Sequence, residues 1–435
     1  MPRNRRRVQR ALAIGLGLGL IGSALAACSA GGNESVHFTF SKREAITFMT
    51  DVVADFNASQ DQYQVEMDTS GPDVIAASFV RGNPPDLMLA NYNHEVSRFI
   101  NRCAVSDLAD TEAAKSVRPD LQPLLDQYGI CPGTTAAVPY SVMAASVIYN
   151  KQIFAEHDLE VPETWDELIE VCNTLKAAGI DPFYATFADP WTANQGWFDY
   201  SVGGSGLDIL DFYKQMEAEG PDVGPDSSVS FQKDFLEPVE QMQLLASEYT
   251  QSDANARTYD FGNVAFAEGK GAMYMQGPWA ISEIARINPN LEVGTFPLPM
   301  TGSPNDLKVR VNMDLVAMVP QDAKNPAGAR AFMEYLFQPD VIQAYNNSQL
   351  GFNPRTDGKD PDDPRVAGMV EYYNDGAVYQ GPSVLNPRAI PTENFAQSLV
   401  LGANAKTILS TMDADWARLA YRQSASSTEK EESGQ

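Results

Sequence analysis

Short apolar runs, bounded by glycine, proline or polar residues, recur along most of the chain. Several alternate in polarity, a pattern that predicts β-strands. The run within residues 84–91 is apolar between breakers, which is typical of a buried parallel strand. The predicted strands cover residues 36–40, 64–67, 84–91, 137–150, 269–275, 291–299 and 309–320.

Helical patterns lie between these runs. Apolar residues at helical spacing in 46–56 predict a helix after the first strand. Thr164 and Glu167 form a capping box, and Gly179 predicts the end of that helix. From Pro326 onward the pattern is mainly helical. The alternation predicts an α/β protein of two open domains rather than one barrel, and 435 residues are too many for one ordinary core.

The amino terminus has the pattern of an export signal. Five arginines within residues 3–10 precede an apolar run, 11–27, that is shorter than the roughly 20 residues of a membrane-spanning helix. The run ends in Leu25-Ala26-Ala27-Cys28, which resembles a bacterial lipobox. We therefore predict a lipoprotein signal peptide at 1–27, lipidation of Cys28 and a flexible tether over 28–35. An ordinary secretory signal with an unrelated cysteine is the alternative.

The chain is strongly acidic, with a formal net charge of −26. Removal of residues 1–27 deletes five arginines and no acidic residue, which takes the net charge to −31. Nucleic acids and anionic membrane surfaces repel such a body, so we expect neither as a direct partner.

Three further cysteines would lie in an oxidising, exported setting. Cys172 falls on the apolar face of the helix that begins near Thr164, which predicts a buried thiol. Cys103 and Cys131 both lie in loop-like sequence, and we predict a disulfide between them; two free thiols are the alternative. No cysteine spacing indicates a zinc site.

The sequence carries none of the common enzymatic signatures. It has no Gly-x-Ser-x-Gly elbow, no phosphate-binding Gly-x-x-x-x-Gly-Lys loop and no His-Glu-x-x-His pair. We predict no cofactor and no metal site. Carboxylates are abundant, so a glycosidase remains an alternative, although no particular pair is indicated.

Aromatic and amide side chains follow several predicted strands. Ligands of open α/β sheets bind beyond the carboxyl ends of strands, which directs attention to 41–44, 91–94, Tyr140 and 276–279. Residues 188–198 add two tryptophans among glycine and proline. Sugars present flat C–H faces and a rim of hydroxyls, so their sites need aromatic faces together with amides or charged groups.

Core packing is the alternative role for each tryptophan. That alternative fits Trp165 and Trp416, which lie at apolar positions of helices. It fits Trp191, Trp197 and Trp279 less well, because all three follow breaker residues.

Four segments occur in a fixed order behind the lipobox: "GNPPDLMLAN" (82–91), "VPYSVM" to "GIDPF" (138–183), "FAEGKGAMYMQGPWAI" (266–281) and "GFNPR" (351–355). Together they resemble family 1 extracellular solute-binding proteins, the sugar-binding lipoproteins of ABC importers that are related to maltose-binding protein. The resemblance covers most of the chain.

The resemblance implies a two-lobed fold of the type II periplasmic-binding-protein class, with hinge crossings near 137–139, 309–312 and 350–353. Lobe 1 would comprise residues 36–138 and 309–349, lobe 2 residues 139–308 and 350–425, and 426–435 a disordered tail. A sugar, in the first place an oligosaccharide, would bind in the cleft, and the lobes would close on it. The partners implied are ABC-transporter permease subunits and the membrane through a lipid anchor only. We expect a monomer at the outer face of the cell membrane.

The ligand-binding residues of the family are matched at some positions of this sequence and not at others. Trp279 matches the family's tryptophan after Gly-Pro, and Asp189-Pro190-Trp191 matches its acid-proline-aromatic triplet. Ala90 replaces an aromatic residue of the maltose-binding pattern, so maltodextrin specificity is not implied. The candidate ligand-binding residues are Lys42, Arg43, Glu44, Asn91, Tyr92, Asn93, His94, Tyr140, Asp189, Trp191, Trp197, Gln276, Trp279, Asn312, Asp314 and Arg355.

Two further alternatives concern the bound solute. Tyr372-Tyr373 is a tandem tyrosine of the kind that iron-binding members of the same superfamily use, so a ferric-ion or other non-sugar solute is one alternative. A surface adhesin or structural lipoprotein without a small ligand is the other.

Overall fold

A computed structural model describes residues 33–126 and 129–433 of the chain. The predicted signal peptide and the lipidation site Cys28 lie outside the described residues, as do residues 29–32 of the tether. The strands are β1 Glu34–Thr39, β2 Tyr63–Asp68, β3 Leu87–Ala90, β4 Val138–Asn150, β5 Met273–Gln276, β6 Val293–Phe296, β7 Val309–Met318 and β8 Val378–Gln380. Every predicted strand is confirmed, and β8 was missed within the region predicted to be mainly helical.

Helices fill the intervals between these strands. The α-helices are α1 Ile46–Ser59, α2 Pro72–Val80, α3 His94–Asn101, α4 Glu112–Ser116, α5 Gln122–Asp126, α6 Lys151–Glu156, α7 Trp165–Ala177, α8 Pro190–Thr192, α9 Asp199–Gly203, α10 Ile209–Glu219, α11 Phe231–Asp234, α12 Leu236–Glu248, α13 Tyr259–Ala267, α14 Pro278–Ile287, α15 Pro326–Leu336, α16 Pro339–Gln349, α17 Ala367–Asn374, α18 Pro382–Leu385, α19 Thr392–Val400 and α20 Ala405–Ser433. Short 3₁₀ turns occupy Arg43–Ala45, Pro119–Leu121, Gly220–Asp222, Ala254–Ala256 and Pro304–Asp306, and a π-helical turn occupies Ala193–Phe198.

The capping box that begins α7 is formed as predicted. Thr164 Oγ1 accepts a hydrogen bond from the Glu167 N–H (3.3 Å), and Glu167 Oε2 accepts one from the Thr164 N–H (3.2 Å). The chain leaves the helix at Gly179 with a φ of 77°, a left-handed value that glycine adopts readily.

One sheet connects the whole molecule, in the order β2-β1-β3-β7-β4-β5, with β6 paired to β4 and β8 to β7. β1 is parallel to β2 and β3, whereas β7 is antiparallel to both β3 and β4. We call the region around β1, β2 and β3 lobe 1, and the region around β5, β6 and β8 lobe 2.

β4 and β7 are the strands that join the two lobes. Residues 138–145 of β4 pair with β7, and residues 146–150 pair with β5 and β6. β7 pairs with β8 at its start and with β3 at its end. Phe352 exchanges backbone hydrogen bonds of 2.8 and 3.1 Å with Val142, so a third segment reaches the same junction. These segments are the ones predicted to cross the hinge; the exact lobe boundaries remain a prediction.

Each lobe has its own core, and a third cluster joins them. In lobe 1, Phe38 packs edge-on against Phe332 of α15, with ring centroids 5.1 Å apart. In lobe 2, Trp416 of α20 packs against Phe231, and its indole N–H donates to the Met216 carbonyl at 3.0 Å. The joining cluster contains apolar side chains of β4 and β7 together with residues of both lobes.

The disulfide between Cys103 and Cys131 is confirmed, with the two Cα atoms 5.3 Å apart. Cys172 is a free, buried cysteine on α7, as its helical position predicted. The carboxyl terminus differs from the prediction, because α20 continues through Ser433 where a disordered tail was expected from residue 426. Extending an established helix costs far less than nucleating one, which explains how a polar sequence can remain helical there. Within the described residues, no helix is long and apolar enough to cross a membrane.

Candidate functional site

The loop after β1 is tied to the hinge strand β7 by a buried ion pair. Lys42 Nζ lies 2.6 Å from Asp314 Oδ2, and both side chains are at most 7% exposed. Asn91, directly after β3, donates from Nδ2 to the Asp314 carbonyl at 2.6 Å. The structure therefore brings together three predicted site residues at the lobe junction. Because the charges of Lys42 and Asp314 neutralise each other, the pair holds the loop after β1 against β7.

Arg43 and Glu44 are exposed on the 3₁₀ turn that follows Lys42. Burial raises the pKa of the Tyr259 hydroxyl in lobe 2, and the negative charge of Glu44 raises it further. The negative charge of Glu44 in lobe 1 thereby acts on a residue of α13 in lobe 2.

The Asp189-Pro190-Trp191 triplet of lobe 2 contacts the start of α13. Asp189 Oδ2 accepts a hydrogen bond of 2.7 Å from the Tyr259 N–H at the start of α13. The half-buried Trp191 ring meets the Tyr259 ring edge-on at 5.0 Å between centroids. Sequence reasoning missed Tyr259, although a tyrosine at the first position of a helix, directly after a loop, was a usable signal.

Gln276 and Trp279 form a compact unit between β5 and α14. The Trp279 indole N–H donates to Gln276 Oε1 at 3.1 Å. The Trp279 ring lies against Gly277, where an added Cβ atom would come within 2.2 Å of ring carbon Cζ3. Gln276 is only 2% exposed and its carbonyl accepts from the Tyr200 hydroxyl at 3.0 Å. Trp279 is half-buried and packs against both the lobe 2 core and the joining cluster.

Three predicted aromatic site residues belong to the protein core. Tyr140 is fully buried in the lobe 1 core, and the Tyr92 hydroxyl donates to the Leu125 carbonyl at 3.0 Å. Trp197 is 2% exposed and packs edge-on against Phe187 at 5.1 Å. All three rings are buried in the described structure, and their role as ligand contacts stays a prediction.

Polar candidates near the junction are also engaged in the fold. Asn93 Oδ1 caps α3 by accepting from the Val96 N–H, and His94 is the first residue of that helix. Arg355 is held by Asp357 and by the Phe337 carbonyl. These contacts give Asn93 and Arg355 structural roles that the sequence pattern did not reveal.

A buried polar network connects β7 with α9 and α18 of lobe 2. Arg310 of β7 donates from Nε to Asp199 Oδ2 at 2.8 Å, and Ser383 at the start of α18 donates to the same carboxylate from its N–H and its hydroxyl, at 2.8 and 2.6 Å. Arg310 also donates from Nη1 to Oδ1 of the predicted site residue Asn312 at 3.1 Å. The hinge strand is thereby joined to two elements of lobe 2.

A cavity of about 480 Å³ lies between the lobes. Its volume is within the range of small-molecule sites, roughly 300–1,000 Å³. Most of its lining residues carry an amide, hydroxyl or charged side chain. Lobe 1 contributes Asp73 and Asn93, and the lining residues of lobe 2 are Asn194, Gln195, Ser383, Val384, Asn386, Arg388, Ile390, Pro391, Thr392, Glu393 and Asn394.

Sequence reasoning missed most of this lining. Asn194 and Gln195 lie within residues 188–198, but only Asp189 and the two tryptophans of that segment were predicted as ligand contacts. Residues 383–394 carry no motif that the resemblance covers.

The two tyrosines of the ferric alternative, Tyr372 and Tyr373, lie on α17. Within 33–126 and 129–433, no group of three or more His, Cys, Asp or Glu side chains could hold a metal ion. Tyr373 packs against Phe352, with ring centroids 4.0 Å apart, and burial raises the pKa of its hydroxyl well above the ordinary range. Tyr373 is therefore part of the apolar cluster that joins the two lobes.

Comparison with known proteins gives a consistent result. The sequence profile of the family described as bacterial extracellular solute-binding protein matches residues 41–343. An uncharacterized ABC transporter extracellular-binding protein of Pyrococcus horikoshii is 25% identical over 326 residues, which cover 73% of this chain and 69% of that protein. A multiple sugar-binding protein of Streptococcus mutans is 29% identical over 213 residues, 48% of this chain and 49% of that protein.

Among solved structures, RafE of Streptococcus pneumoniae in complex with raffinose superposes with a TM-score of 0.76 at 22% identity, over 89% of this chain and 99% of that one. At this identity the likeness concerns the fold.

Proposed function

Because this chain belongs to the bacterial extracellular solute-binding protein family, we propose that it captures an oligosaccharide between its two lobes and delivers it to the permease subunits of an ABC importer. Its two-lobed type II α/β fold agrees with the prediction and with the RafE likeness. The family is one of substrate-binding proteins, so we propose lobe closure on a ligand without covalent chemistry.

The observation that carries this proposal is the amide-lined cavity between the lobes. Ligand specificity in such pockets comes from a small number of placed polar groups. Amides both donate and accept hydrogen bonds, as sugar hydroxyls do. The half-buried rings of Trp191 and Trp279, with Asp189, Asn91, Arg43 and Glu44, are proposed as the remaining contacts in the cleft.

We further propose that the mature protein begins at a lipidated Cys28 and is held at the outer face of the cell membrane as a monomer. The lipobox-like sequence supports the anchor. Mass spectrometry of the protein recovered from membranes tests this step. A mature amino terminus other than a lipidated Cys28 would refute it.

Calorimetry with a panel of neutral di- to tetrasaccharides tests the sugar-binding function. We expect at least one to bind and to raise the melting temperature, because a ligand of the native state stabilises it by mass action. Trp279→Leu should weaken that binding by about fivefold, since an aromatic face contributes roughly 1 kcal/mol.

Trp165→Leu is the matched control, because Trp165 is a half-buried lobe 2 tryptophan packed against the same core but on α7. Its affinity should equal that of the unmodified protein. If no neutral saccharide binds, the proposed function fails.

A further inference from the structure

The helical segment after Asp189 contains a π-helical turn, Ala193–Phe198, between α8 and α9. The Asp199 N–H donates to the carbonyl of Asn194, five residues earlier, which is the hydrogen bond that defines such a turn. A π-turn accommodates an extra residue, carries a cost in helix geometry and occurs frequently at functional sites.

Packing fixes the orientation of this turn. Trp197 and Phe198 insert into the lobe 2 core on one side. A Cβ atom on Gly196 would come within 2.3 Å of the Met275 carbonyl oxygen of β5, so only glycine allows the turn to lie this close to the strand. Asn194 and Gln195 are left to line the cavity.

Asn194 is an unsatisfied polar side chain in this wall. It is only 4% exposed, and its Oδ1 atom is fully buried without a hydrogen-bond partner among the described residues. A buried polar atom without a partner destabilises the fold and calls for an explanation. Rotation about χ2 exchanges the amide oxygen and nitrogen, so the side chain can present either an acceptor or a donor to the cavity.

The charges in the wall do not suit an acidic ligand. The ionisable residues that line the cavity are Asp73, Glu393 and Arg388. Arg388 Nη1 lies 3.8 Å from Asp73 Oδ1, so the guanidinium already faces a carboxylate of the opposite lobe. An anionic ligand would meet two carboxylates and only one cation, whose guanidinium lies near one of them.

We propose that Asn194, held by the π-helical turn over Gly196 and Trp197, is a specificity-determining residue that hydrogen-bonds a hydroxyl group of a neutral polyhydroxylated ligand. The inference rests on the proposed sugar-binding function and adds to it the chemical class of the ligand and the residue that selects it.

The test measures affinity and apo stability separately. The probes are the neutral di- to tetrasaccharide panel and trigalacturonic acid, an acidic trisaccharide. Asn194→Leu should lower the affinity for the tightest-binding neutral saccharide by about tenfold, because the ligand hydroxyl loses its hydrogen-bond partner. The same substitution should leave the apo melting temperature unchanged or higher, since it removes an unsatisfied buried amide.

Two further variants separate a binding role from a structural one. Gly196→Ala, which displaces the turn from β5, should also weaken binding. Asn346→Leu is the control, because this buried lobe 1 amide donates to the carbonyls of Tyr140 and Ile342 and does not line the cavity. It should lower the melting temperature and leave the affinity unchanged.

Each outcome separates the two proposals. If no neutral saccharide binds the unmodified protein, the proposed function fails. If one binds and Asn194→Leu binds it within twofold, or if Asn194→Leu lowers the apo melting temperature without changing affinity, the role of Asn194 is refuted while the sugar-binding function stands. If trigalacturonic acid binds with the same affinity as the best neutral saccharide, the selection for a neutral ligand is refuted.

Discussion

The buried ion pair between Arg310 and Asp199 offers the sharpest test of how the hinge is built. Arg310 is 1% exposed and Asp199 is fully buried, so neither charge has access to water. We predict that Arg310→Met destabilises the protein strongly, because it leaves an uncompensated carboxylate in the interior.

The expected magnitude follows from the burial of the pair. Removing one partner of a fully buried pair costs about 3–5 kcal/mol. For a cooperative unit on the order of 400 residues, that loss lowers the melting temperature by roughly 4–6 °C. The exposed pair Arg330–Asp110 provides a matched control, because Asp110 is 77% exposed; Arg330→Met should leave the melting temperature almost unchanged.

The pH dependence identifies the cause of the loss. Burial raises the pKa of the Asp199 carboxyl, and Arg310 and Ser383 act against that rise. Without Arg310 the pKa rises further, so the folded variant binds a proton that the unfolded chain has already released. A carboxyl whose folded pKa is raised is favoured at low pH, so the penalty of Arg310→Met should be smaller at mildly acidic than at neutral pH.

The assay is a thermal and denaturant double-mutant cycle over Arg310→Met, Asp199→Leu and the double variant. The double variant should be more stable than either single one, since it leaves no unpaired charge. Additive effects of the two substitutions, or a penalty for Arg310→Met that does not change with pH, would refute the reasoning.

Two further predictions concern covalent and ionic links. In protein with Cys28→Ser, unfolded without reductant, one thiol should react, because Cys103 and Cys131 are bonded; in the native state none should, since burial raises the pKa of the Cys172 thiol to about 12. Three reactive thiols would contradict this. The exposed pair Asp73–Arg388 joins the two lobes, so high salt should weaken ligand binding by about threefold, and Arg388→Gln should remove that salt dependence. An unchanged salt response in the variant would contradict a link between the lobes.

The fold was largely predictable because its strands are short, apolar and separated by clear breakers. β3 and β4 are almost continuously buried, and their apolar runs identified them in the sequence. β8 was missed because three residues, Val378–Gln380, are too few for any periodicity to show.

The site was less predictable, because the role of a polar residue depends on its partner. Lys42 and Asp314 were nominated separately, and nothing in the sequence places them 2.6 Å apart across 272 positions. Asn93 was predicted as a ligand contact, but its side chain also accepts a hydrogen bond from the Val96 N–H of α3, a local requirement that competes with binding. Spacing alone does not decide such competition.

The three tryptophans that follow breaker residues show what the local sequence cannot decide. Trp191, Trp197 and Trp279 have similar local sequence, yet only Trp197 is fully buried. The cause is the π-helical turn, whose extra residue changes which side chains face the core. The breaker residues that precede all three tryptophans give no sign of that turn. The same extra residue that directs Trp197 into the core leaves Asn194 in the cavity wall. The burial of Trp197 and the proposed ligand contact of Asn194 therefore both depend on this one irregular turn.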